Sequence, residues 1–306
     1  MCYPPCPVAI SPFLRVAQPE TAALPAAGPA WEERLEQLRA LLRGLGRVVV
    51  AYSGGVDSSL LLRVAHEVLG PGALGVIGRS ASYAARELEL ARTQAASFGA
   101  RLEVVGTAEL SDPQFRSNPA DRCYHCKGEL HHRLEAIARR EGAVVLDGTI
   151  VEDLTDWRPG RRAATERAVR SPLAELGFRK ADVRAAAAHY GLSSADKPAS
   201  PCLASRIPYG TGITRENLRM IEKAEELLRT LGFGELRVRH HGDMARIEVP
   251  LGELARLAAP GVREQVVAGL KALGYRYVTV DLEGFRSGSL NAAPEREQDS
   301  RGPGTE

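Results

Sequence analysis

The chain has 306 residues, 44% of them hydrophobic, which is enough to bury one medium core and a smaller one. Its 40 basic and 38 acidic residues leave a formal net charge of +2, so composition provides no general attraction to nucleic acid. No apolar run is as long as a membrane span and residues 1–30 lack the features of a signal peptide, so a cytoplasmic protein is expected.

A short segment between a hydrophobic strand and an apolar helix predicts a cradle for nucleotide phosphates. Residues 47–52 have the β-branched content of a buried parallel strand, and apolar residues recur at helical spacing from Leu60 onward. The segment between them reads Ser53-Gly54-Gly55-Val56-Asp57-Ser58-Ser59. Its glycines let a phosphate approach the main chain, and N–H groups at the start of the helix would face it. Asp57 is anionic, so we expect it to hold Mg2+ against the phosphate; the alternative is a glycine-rich turn without a ligand.

Strands and helices alternate after this loop. Further strands are predicted at 73–78, 101–106 and 143–148, and helices near 83–98, 127–140 and 180–190. This alternation predicts an α/β fold with a doubly wound parallel sheet, in which ligands bind at the carboxyl ends of the strands. Because Asp147, Gly148 and Thr149 also follow a strand end, Gly148 and Thr149 are expected to join the nucleotide site.

A second, smaller α+β domain is predicted in the last third of the chain. Residues 199–214 are rich in Pro, Gly and Ser, which is typical of an ordered functional loop, and Thr214 can cap the helix that follows. Strands are then predicted at 235–240, 245–249 and 275–282, and helices at 251–257 and 261–273. The predicted division is a disordered tail at 1–30, a nucleotide domain at 31–205, the small domain at 206–290 and a disordered tail at 291–306.

The cysteines are Cys2, Cys6, Cys123, Cys126 and Cys202. They do not pair off evenly, and in a reducing compartment the three outside the N-terminal tail are better explained as ligands or nucleophiles than as disulfides. With His125 they would make four zinc ligands. As three ligands of a 4Fe–4S cluster they would leave one iron open for chemistry. A third interpretation is that Cys123 and Cys126 are unligated thiols.

Several long motifs in the same order resemble the LarE family of the N-type ATP pyrophosphatases. The loop from Ser53 to Ser59 is similar to the SGGxDS signature of that superfamily and lacks the Gly-Lys-Ser/Thr of the common P-loop. The other matching segments are residues 118–127 with Cys123-Tyr124-His125-Cys126, 147–149, Asp156-Trp157-Arg158-Pro159-Gly160, 170–173, 196–210 with Cys202, and 282–291. The resemblance extends from about residue 35 to residue 291.

The resemblance implies an ATP-dependent sulfur transferase that builds the nickel-pincer nucleotide cofactor of lactate racemase. ATP would adenylylate a carboxylate of pyridinium-3,5-biscarboxylic acid mononucleotide with release of pyrophosphate, and sulfur would then displace AMP to give a thiocarboxylate. Two carboxylates require two rounds. The resemblance also implies a homohexamer in which the small domain mediates contacts.

The resemblance offers two sources of sulfur. In members with a single cysteine, the residue that matches Cys202 attacks the adenylate, gives up its sulfur and ends as dehydroalanine. In members with two further cysteines, three thiols hold a 4Fe–4S cluster that carries a sulfide, so the polypeptide is not consumed. Cys123, Cys126 and Cys202 place this chain in the second group. Either a thiolate or a metal-bound sulfide is a strong nucleophile near neutral pH.

The resemblance matches Ser205, Arg206, Arg237 and Arg239 to residues that bind the substrate's phosphate or an anion next to the thiol. It matches Glu225 to an acidic residue near the substrate site. A guanidinium fork suits phosphate. The alternative for the arginines at 237 and 239 is a solvated basic face of a strand. Glu222 and Glu226 are alternative matches to the acidic residue of the family. A run of glutamates such as this is usually a solvated face of a helix.

Three other functions remain open. A tRNA thiolase can also use a three-cysteine cluster, but the near-zero net charge and the lack of an evident RNA-binding appendage argue against it. An ammonia-using synthetase fits less well, because no glutaminase motif surrounds Cys2. A nucleotide- or metal-binding regulator would bind the same ligands without doing chemistry.

Overall fold

The computed structural model describes residues 30–155, 159–198 and 200–286. The helices are α1 (Trp31–Leu45), α2 (Val56–Leu69), α3 (Ala85–Ser97), α4 (Pro113–Arg116), α5 (Arg122–Glu141), α6 (Val151–Thr155), α7 (Pro159–Thr165), α8 (Pro172–Glu175), α9 (Lys180–His189), α10 (Arg215–Thr230), α11 (Leu254–Ala258) and α12 (Val262–Ala272). The strands are β1 (Val48–Ala51), β2 (Ala73–Arg79), β3 (Arg101–Gly106), β4 (Val144–Leu146), β5 (Arg237–His241), β6 (Met244–Glu248) and β7 (Tyr277–Val280). Within these ranges no helix combines the length and the apolar character needed to cross a bilayer.

Some of the sequence predictions concern other parts of the chain. The predicted tails, apart from Ala30, lie outside the described residues, and so do Cys2 and Cys6. The same holds for Asp156, Trp157 and Arg158 of the Asp-Trp-Arg-Pro-Gly motif.

A four-stranded parallel sheet forms the larger unit. Its strand order is β3-β2-β1-β4, and every neighbouring pair is parallel. The chain moves outward from β1 through β2 to β3 and then returns to place β4 on the other side of β1. Because the order reverses between β1 and β4, the crevice at their carboxyl ends is where such sheets bind ligands. The predicted doubly wound α/β fold is confirmed.

The central strand β1 is buried on both faces. Successive side chains of a strand point to opposite sides, so Val48 and Val50 pack into one core and Val49 packs into another. The first core is closed by α1, α2, α3 and α9, and the second is closed by α5. A continuous run of valines is what a parallel strand buried on both faces requires.

The smaller unit is a three-stranded sheet with helices against it. Its order is β5-β6-β7, with β5 antiparallel and β7 parallel to β6. Leu228 of α10 and Leu270 of α12 pack on its core, so the predicted second α+β unit is confirmed. A further apolar cluster joins Phe115 of the first unit to Ile207 and Leu218. The boundary between residues 205 and 206 remains a prediction.

Predicted and observed elements agree to within about three residues at their ends, with one larger difference. Helix α5 begins at Arg122 rather than at residue 127. Tertiary contacts stabilise the added turn, because buried Arg122 donates a hydrogen bond to Oδ1 of Asn118 at 2.7 Å and stacks on Tyr209. As a result Cys123 and Cys126 lie within the helix rather than before it.

The predicted cap of α10 is present as a reciprocal capping box. The Thr214 hydroxyl accepts a hydrogen bond from the Asn217 N–H at 3.1 Å, and the Asn217 amide oxygen accepts one from the Thr214 N–H at 2.9 Å. Both N–H groups would otherwise lack partners at the start of the helix.

We expect Thr214→Ala to lower the free energy of unfolding by about 1 kcal/mol, because the cap hydroxyl is lost. Urea denaturation of both proteins measures the difference. Thr230→Ala, at the exposed end of the same helix, is the control and should change stability by less than about 0.5 kcal/mol. Equal effects of the two substitutions would contradict the importance of the cap.

Candidate active site

The loop after β1 forms a tight turn at the carboxyl edge of the sheet. Gly54 has φ +68°, and a Cβ atom there would lie 2.6 Å from the Cβ of Ala91. Gly55 is the N-cap residue of α2 and has no side chain to bind the first N–H groups of the helix. Those N–H groups are therefore available to an anion, and the helix dipole favours negative charge at this position.

The end of β4 lies directly against this loop. A Cβ atom on Gly148 would lie 2.8 Å from the backbone nitrogen of Ser58, so only glycine permits the contact. Oδ1 of Asp147 accepts hydrogen bonds from the Thr149 N–H at 3.1 Å and from the Ser171 hydroxyl at 2.7 Å. The structure thus brings Gly148 and Thr149 to the cradle, as the sequence predicts.

Two lysines that the sequence analysis missed lie beside the cradle. Lys180 Nζ donates to both carboxylate oxygens of Asp57, at 2.7 and 2.8 Å. Lys197 Nζ lies 2.7 Å from a carboxylate oxygen of Glu87 and 3.5 Å from the carbonyl oxygen of Gly54. The Mg2+ predicted at Asp57 stays a prediction, and an ammonium group is the partner of that carboxylate in this structure. Lys197 could have been predicted from the sequence, because it lies in the 196–210 motif.

The three predicted cysteines come together from two distant segments. Cys123 and Cys126 are three residues apart near the start of α5 and so share a helix face. Cys202 is the N-cap residue of a 3-10 turn, and it packs with Cys126 against the apolar cluster around Phe115. None of the three forms a disulfide. Burial raises the pKa of the Cys126 thiol, and the nearby Cys202 and Glu109 raise it further.

The zinc interpretation is not supported. Among the residues the structure describes, no three Cys, His, Asp or Glu side chains are placed to hold a single metal ion. The His125 ring points elsewhere, with Nδ1 3.5 Å from a carboxylate oxygen of Asp112. Cysteine thiolates are the usual ligands of 4Fe–4S clusters, so the chemistry of the three thiols suits such a cluster, and its presence stays a prediction.

A buried amide ties the two cysteine segments together. The Asn118 side chain is fully buried, and Nδ2 donates to the carbonyl oxygens of Pro208 at 2.8 Å and Thr211 at 3.0 Å. The Asn118 carbonyl oxygen accepts from the Gly210 N–H at 3.0 Å. Asn118 belongs to the 118–127 motif, but the sequence predicts no role for it. Its structural role is to hold the loop after Cys202 against the start of α5.

The predicted arginines belong to a buried ionic cluster rather than to a solvated strand face. Arg206, Arg237 and Arg239 are 4%, 5% and 1% exposed. Arg206 forms paired hydrogen bonds to Glu225 at 2.8 and 3.2 Å, and Arg239 forms them to Glu248 at 2.8 and 2.9 Å. Two parallel bonds per pair give charge-assisted contacts with a fixed geometry.

Ser205 and Glu225 hold this cluster to the rest of the site. The Ser205 hydroxyl accepts from Arg206 at 2.9 Å, and its carbonyl oxygen accepts from Arg239 at 2.8 Å. Glu225 is 1% exposed, so the solvated-face interpretation is wrong for it. Of its two competitors, Glu226 is exposed and Glu222 accepts a hydrogen bond from the first N–H of α3 at 2.7 Å.

Arg237 differs from the other two arginines. Within the described residues no carboxylate pairs with it, and its guanidinium stacks on the Phe285 ring at 4.7 Å. Burial lowers the pKa of Arg237 to about 10, and the charges of Arg206 and Arg239 act in the same direction. A buried cation of this kind is stabilised by any anion that enters, so Arg237 is the best candidate for a phosphate ligand.

A small cavity of about 20 Å³ lies beside the Cys202 thiol. Cys202, Arg206 and Tyr83 line it, together with Arg86 and Arg229, which the sequence analysis missed. The Tyr83 hydroxyl donates to the carbonyl oxygen of Ser53 at 2.8 Å. Tyr83 therefore both contacts the nucleotide loop and lines the cavity beside Cys202.

Comparison with known proteins identifies the family. No family model matches the chain. The chain is 45% identical over 261 residues to an uncharacterised protein of Synechocystis, covering 85% of this chain and 97% of that protein. It is 42% identical over 256 residues to the pyridinium-3,5-bisthiocarboxylic acid mononucleotide synthase of Lactiplantibacillus plantarum, covering 83% of this chain and 92% of that enzyme. The chain belongs to the LarE family of enzymes.

The chain also has a more distant similarity. An uncharacterised protein of Methanocaldococcus jannaschii is 29% identical over 242 residues, covering 79% of this chain and 91% of that protein. The resemblance found in the sequence is confirmed at the level of the family, whereas the three-cysteine variant and the individual site residues remain predictions.

Asn118→Asp should lower the free energy of unfolding by about 2 kcal/mol, because a carboxylate would replace the amide donor that faces buried carbonyl oxygens. Guanidinium denaturation measures the change. Gln114→Glu makes the same chemical change at an exposed position nearby and should have almost no effect. If Asn118→Asp is as stable as the unmodified protein, the amide does not hold the two segments together.

Opposite effects on stability are expected at neighbouring arginines. Arg237→Met should raise the free energy of unfolding by about 1 kcal/mol, because a buried charge without a carboxylate partner is removed. Arg239→Met should lower it by about 2 kcal/mol, since buried Glu248 would lose the guanidinium that binds both of its oxygens and keep only Arg246. Thermal and urea denaturation of both variants measure the signs. If both variants are destabilised by a similar amount, the charge of Arg237 is compensated in the folded protein to the same extent as the charge of Arg239.

Proposed function

We propose that this chain is an ATP-dependent sulfur transferase that converts the carboxylates of pyridinium-3,5-biscarboxylic acid mononucleotide to thiocarboxylates. The observation that carries the proposal is the cavity beside Cys202. Its wall includes Tyr83, which donates a hydrogen bond to the phosphate cradle, together with Cys202 and the buried Arg206. The relative from Lactiplantibacillus plantarum is a pyridinium-3,5-bisthiocarboxylic acid mononucleotide synthase, and this supports the choice of substrate.

The cradle is suited to the triphosphate of ATP. The free N–H groups of α2 offer hydrogen bonds to phosphate, and the lysines at 180 and 197 supply positive charge beside them. Residues Ser53 to Ser59, Gly148 and Thr149 would surround the nucleotide, with Asp57 as the Mg2+ ligand. Mg2+ supplies charge neutralisation for the leaving pyrophosphate when it is bound. Its binding to Asp57 would free Lys180 to pair with a phosphate oxygen.

The second half of the site is suited to an acidic substrate. Arg237 has no carboxylate partner in the described structure and is proposed to bind the substrate's phosphate. Arg206 has a positioning role, since it donates to the carbonyl oxygens of Pro201 at 2.7 Å and Cys202 at 3.3 Å while Glu225 fixes its other edge. These contacts hold the Cys202 loop in place beside the substrate.

The chemistry follows from the two halves. A carboxylate is a poor electrophile until one of its oxygens belongs to a good leaving group, and adenylylation makes that group AMP. A sulfur nucleophile can then attack the carbonyl carbon. We propose that Cys123, Cys126 and Cys202 hold a 4Fe–4S cluster, which would supply the sulfur atom without consuming the polypeptide. In the alternative, Cys202 supplies its own sulfur.

Assembly and location belong to the same proposal. The smaller unit exposes Leu251, Tyr277 and Leu282, whose exposed fractions are 64%, 52% and 80%. A homohexamer, which the family resemblance implies, would cover some of these side chains in its subunit contacts. A cytoplasmic location is the corresponding expectation for a cluster enzyme with reduced thiols.

Cys202→Ser should retain ATP- and substrate-dependent release of pyrophosphate in the first turnover while losing at least a thousandfold in thiocarboxylate formation. The reason is that the cradle does not include this thiol, whereas both sulfur sources require it. Pyrophosphate assay and mass spectrometry of the product, on protein prepared without oxygen, measure the two steps separately.

Two outcomes would contradict the proposal. Sulfur transfer at the unmodified rate by Cys202→Ser would remove this thiol from the mechanism. No release of pyrophosphate by the unmodified enzyme with ATP and the dicarboxylate would instead point to a different substrate or to a binding protein. Cys6→Ser, in the N-terminal segment, is the control for loss of a thiol and should be fully active.

A further inference from the structure

Glu109 is a buried carboxylate whose second oxygen has no partner in the described structure. It lies in a 3-10 turn after β3 and is 2% exposed. Oε1 accepts a hydrogen bond from the Ser82 hydroxyl at 3.1 Å. Oε2 is buried without a hydrogen bond, and no Lys, Arg or His of the described chain forms an ion pair with this carboxylate. A buried carboxylate without a cation is costly and indicates a ligand or a chemical role.

The position of Glu109 ties it to the cysteines. The carbonyl oxygen of Ser82 accepts from the N–H of Leu203, the residue after Cys202, at 2.8 Å. Leu110, next to Glu109, packs against the same apolar cluster as Cys126 and Cys202. Glu109 is therefore connected to the Cys202 loop through one serine, and its neighbour contacts the same core as two of the three thiols.

A cavity gives solvent access to the neighbourhood of Glu109. Glu109 lines an open cavity of about 330 Å³ with Tyr124 and His125, the residues between Cys123 and Cys126. A small anion from solvent can thus approach Glu109.

The chemistry of three thiols next to a free carboxylate oxygen favours iron as the missing partner. Three cysteines leave one iron of a 4Fe–4S cluster without a protein ligand. Carboxylate oxygen binds iron, as it does in non-haem iron sites. Lys127 of α5 is directed elsewhere, since its stem packs on Gly160.

We propose that Glu109 is the fourth protein ligand of the cluster and that it yields this position to hydrosulfide. The inference rests on the proposed cluster at Cys123, Cys126 and Cys202. The exchange breaks an iron–oxygen bond and forms an iron–sulfur bond. The carboxylate leaves with its negative charge, the hydrosulfide brings one, and neither iron nor sulfur changes oxidation state. Glu109 would protect the fourth iron from loss and leave it open to sulfur.

The test compares Glu109→Gln with the unmodified full-length protein after reconstitution with iron and sulfide without oxygen. Glutamine keeps the length of the side chain and an oxygen for Ser82, but it removes the anionic ligand. Protein labelled with 13C at the glutamate carboxylates should show a 13C hyperfine coupling in the reduced cluster, and the variant should lack it. The variant should also lose its fourth iron severalfold faster on mild oxidation and be half-saturated at a severalfold lower hydrosulfide concentration.

A matched control is Glu129→Gln. Glu129 lines the same cavity, but its carboxylate accepts hydrogen bonds from Arg133 at 3.0 Å and from the Ala108 N–H at 3.3 Å. It should match the unmodified protein in coupling, iron loss and hydrosulfide binding. Thermal denaturation checks that each variant is folded. If Glu109→Gln is not folded, the 13C coupling of the unmodified protein and a Glu109→Cys variant, which should resist hydrosulfide, decide the question.

The possible outcomes distinguish the role of Glu109 from the presence of the cluster itself. Failure of the unmodified protein to take up iron would overturn the cluster and the role of Glu109 together. A cluster that forms normally, has no 13C coupling and is unaffected by Glu109→Gln in iron loss and hydrosulfide binding would overturn the role of Glu109 alone. Coupling that persists in Glu109→Gln would assign the ligand to another glutamate.

Discussion

The side-chain amide of Asn118 is the contact on which the sulfur site depends most. Cys123 and Cys126 are separated from Cys202 by more than seventy residues of chain, and no secondary structure element connects them. The amide binds backbone carbonyls of the loop that follows Cys202, while its oxygen holds Arg122 in the first turn of α5. Because these groups are buried, an unmade hydrogen bond would be expensive, and the geometry of the thiols is fixed with it.

Most cations in the rest of the site already have a carboxylate partner before any ligand binds. Lys180 has Asp57, Arg206 has Glu225 and Arg239 has Glu248. Each cation is therefore held in a defined position, and ligand binding can exchange one anionic partner for another without creating new charge. Arg237 is the exception among these cations in the described structure, which gives the substrate side a net positive potential at one buried point.

Local pattern was sufficient for the sheet, the glycine loop and the cysteine motif, because periodicity and glycine chemistry act over a few residues. It was insufficient for Lys180, whose partner is 123 positions away, and for Glu225, whose burial depends on α10 packing against Arg206. The early start of α5 and the unpaired oxygen of Glu109 also arise from contacts between segments distant in sequence. Such pairings are set by topology, which hydrophobic periodicity does not encode.

The first turn of α5 has a consequence for how such enzymes diversify. It is stabilised by Arg122 stacked on Tyr209 and bound to Asn118, and neither cysteine of the turn is needed to form it. Replacing Cys123 and Cys126 would leave the helix, the Cys202 loop and the cradle in place. If the proposed cluster is the source of sulfur, a lineage could gain or lose it through two substitutions on one helical turn, with no change of scaffold.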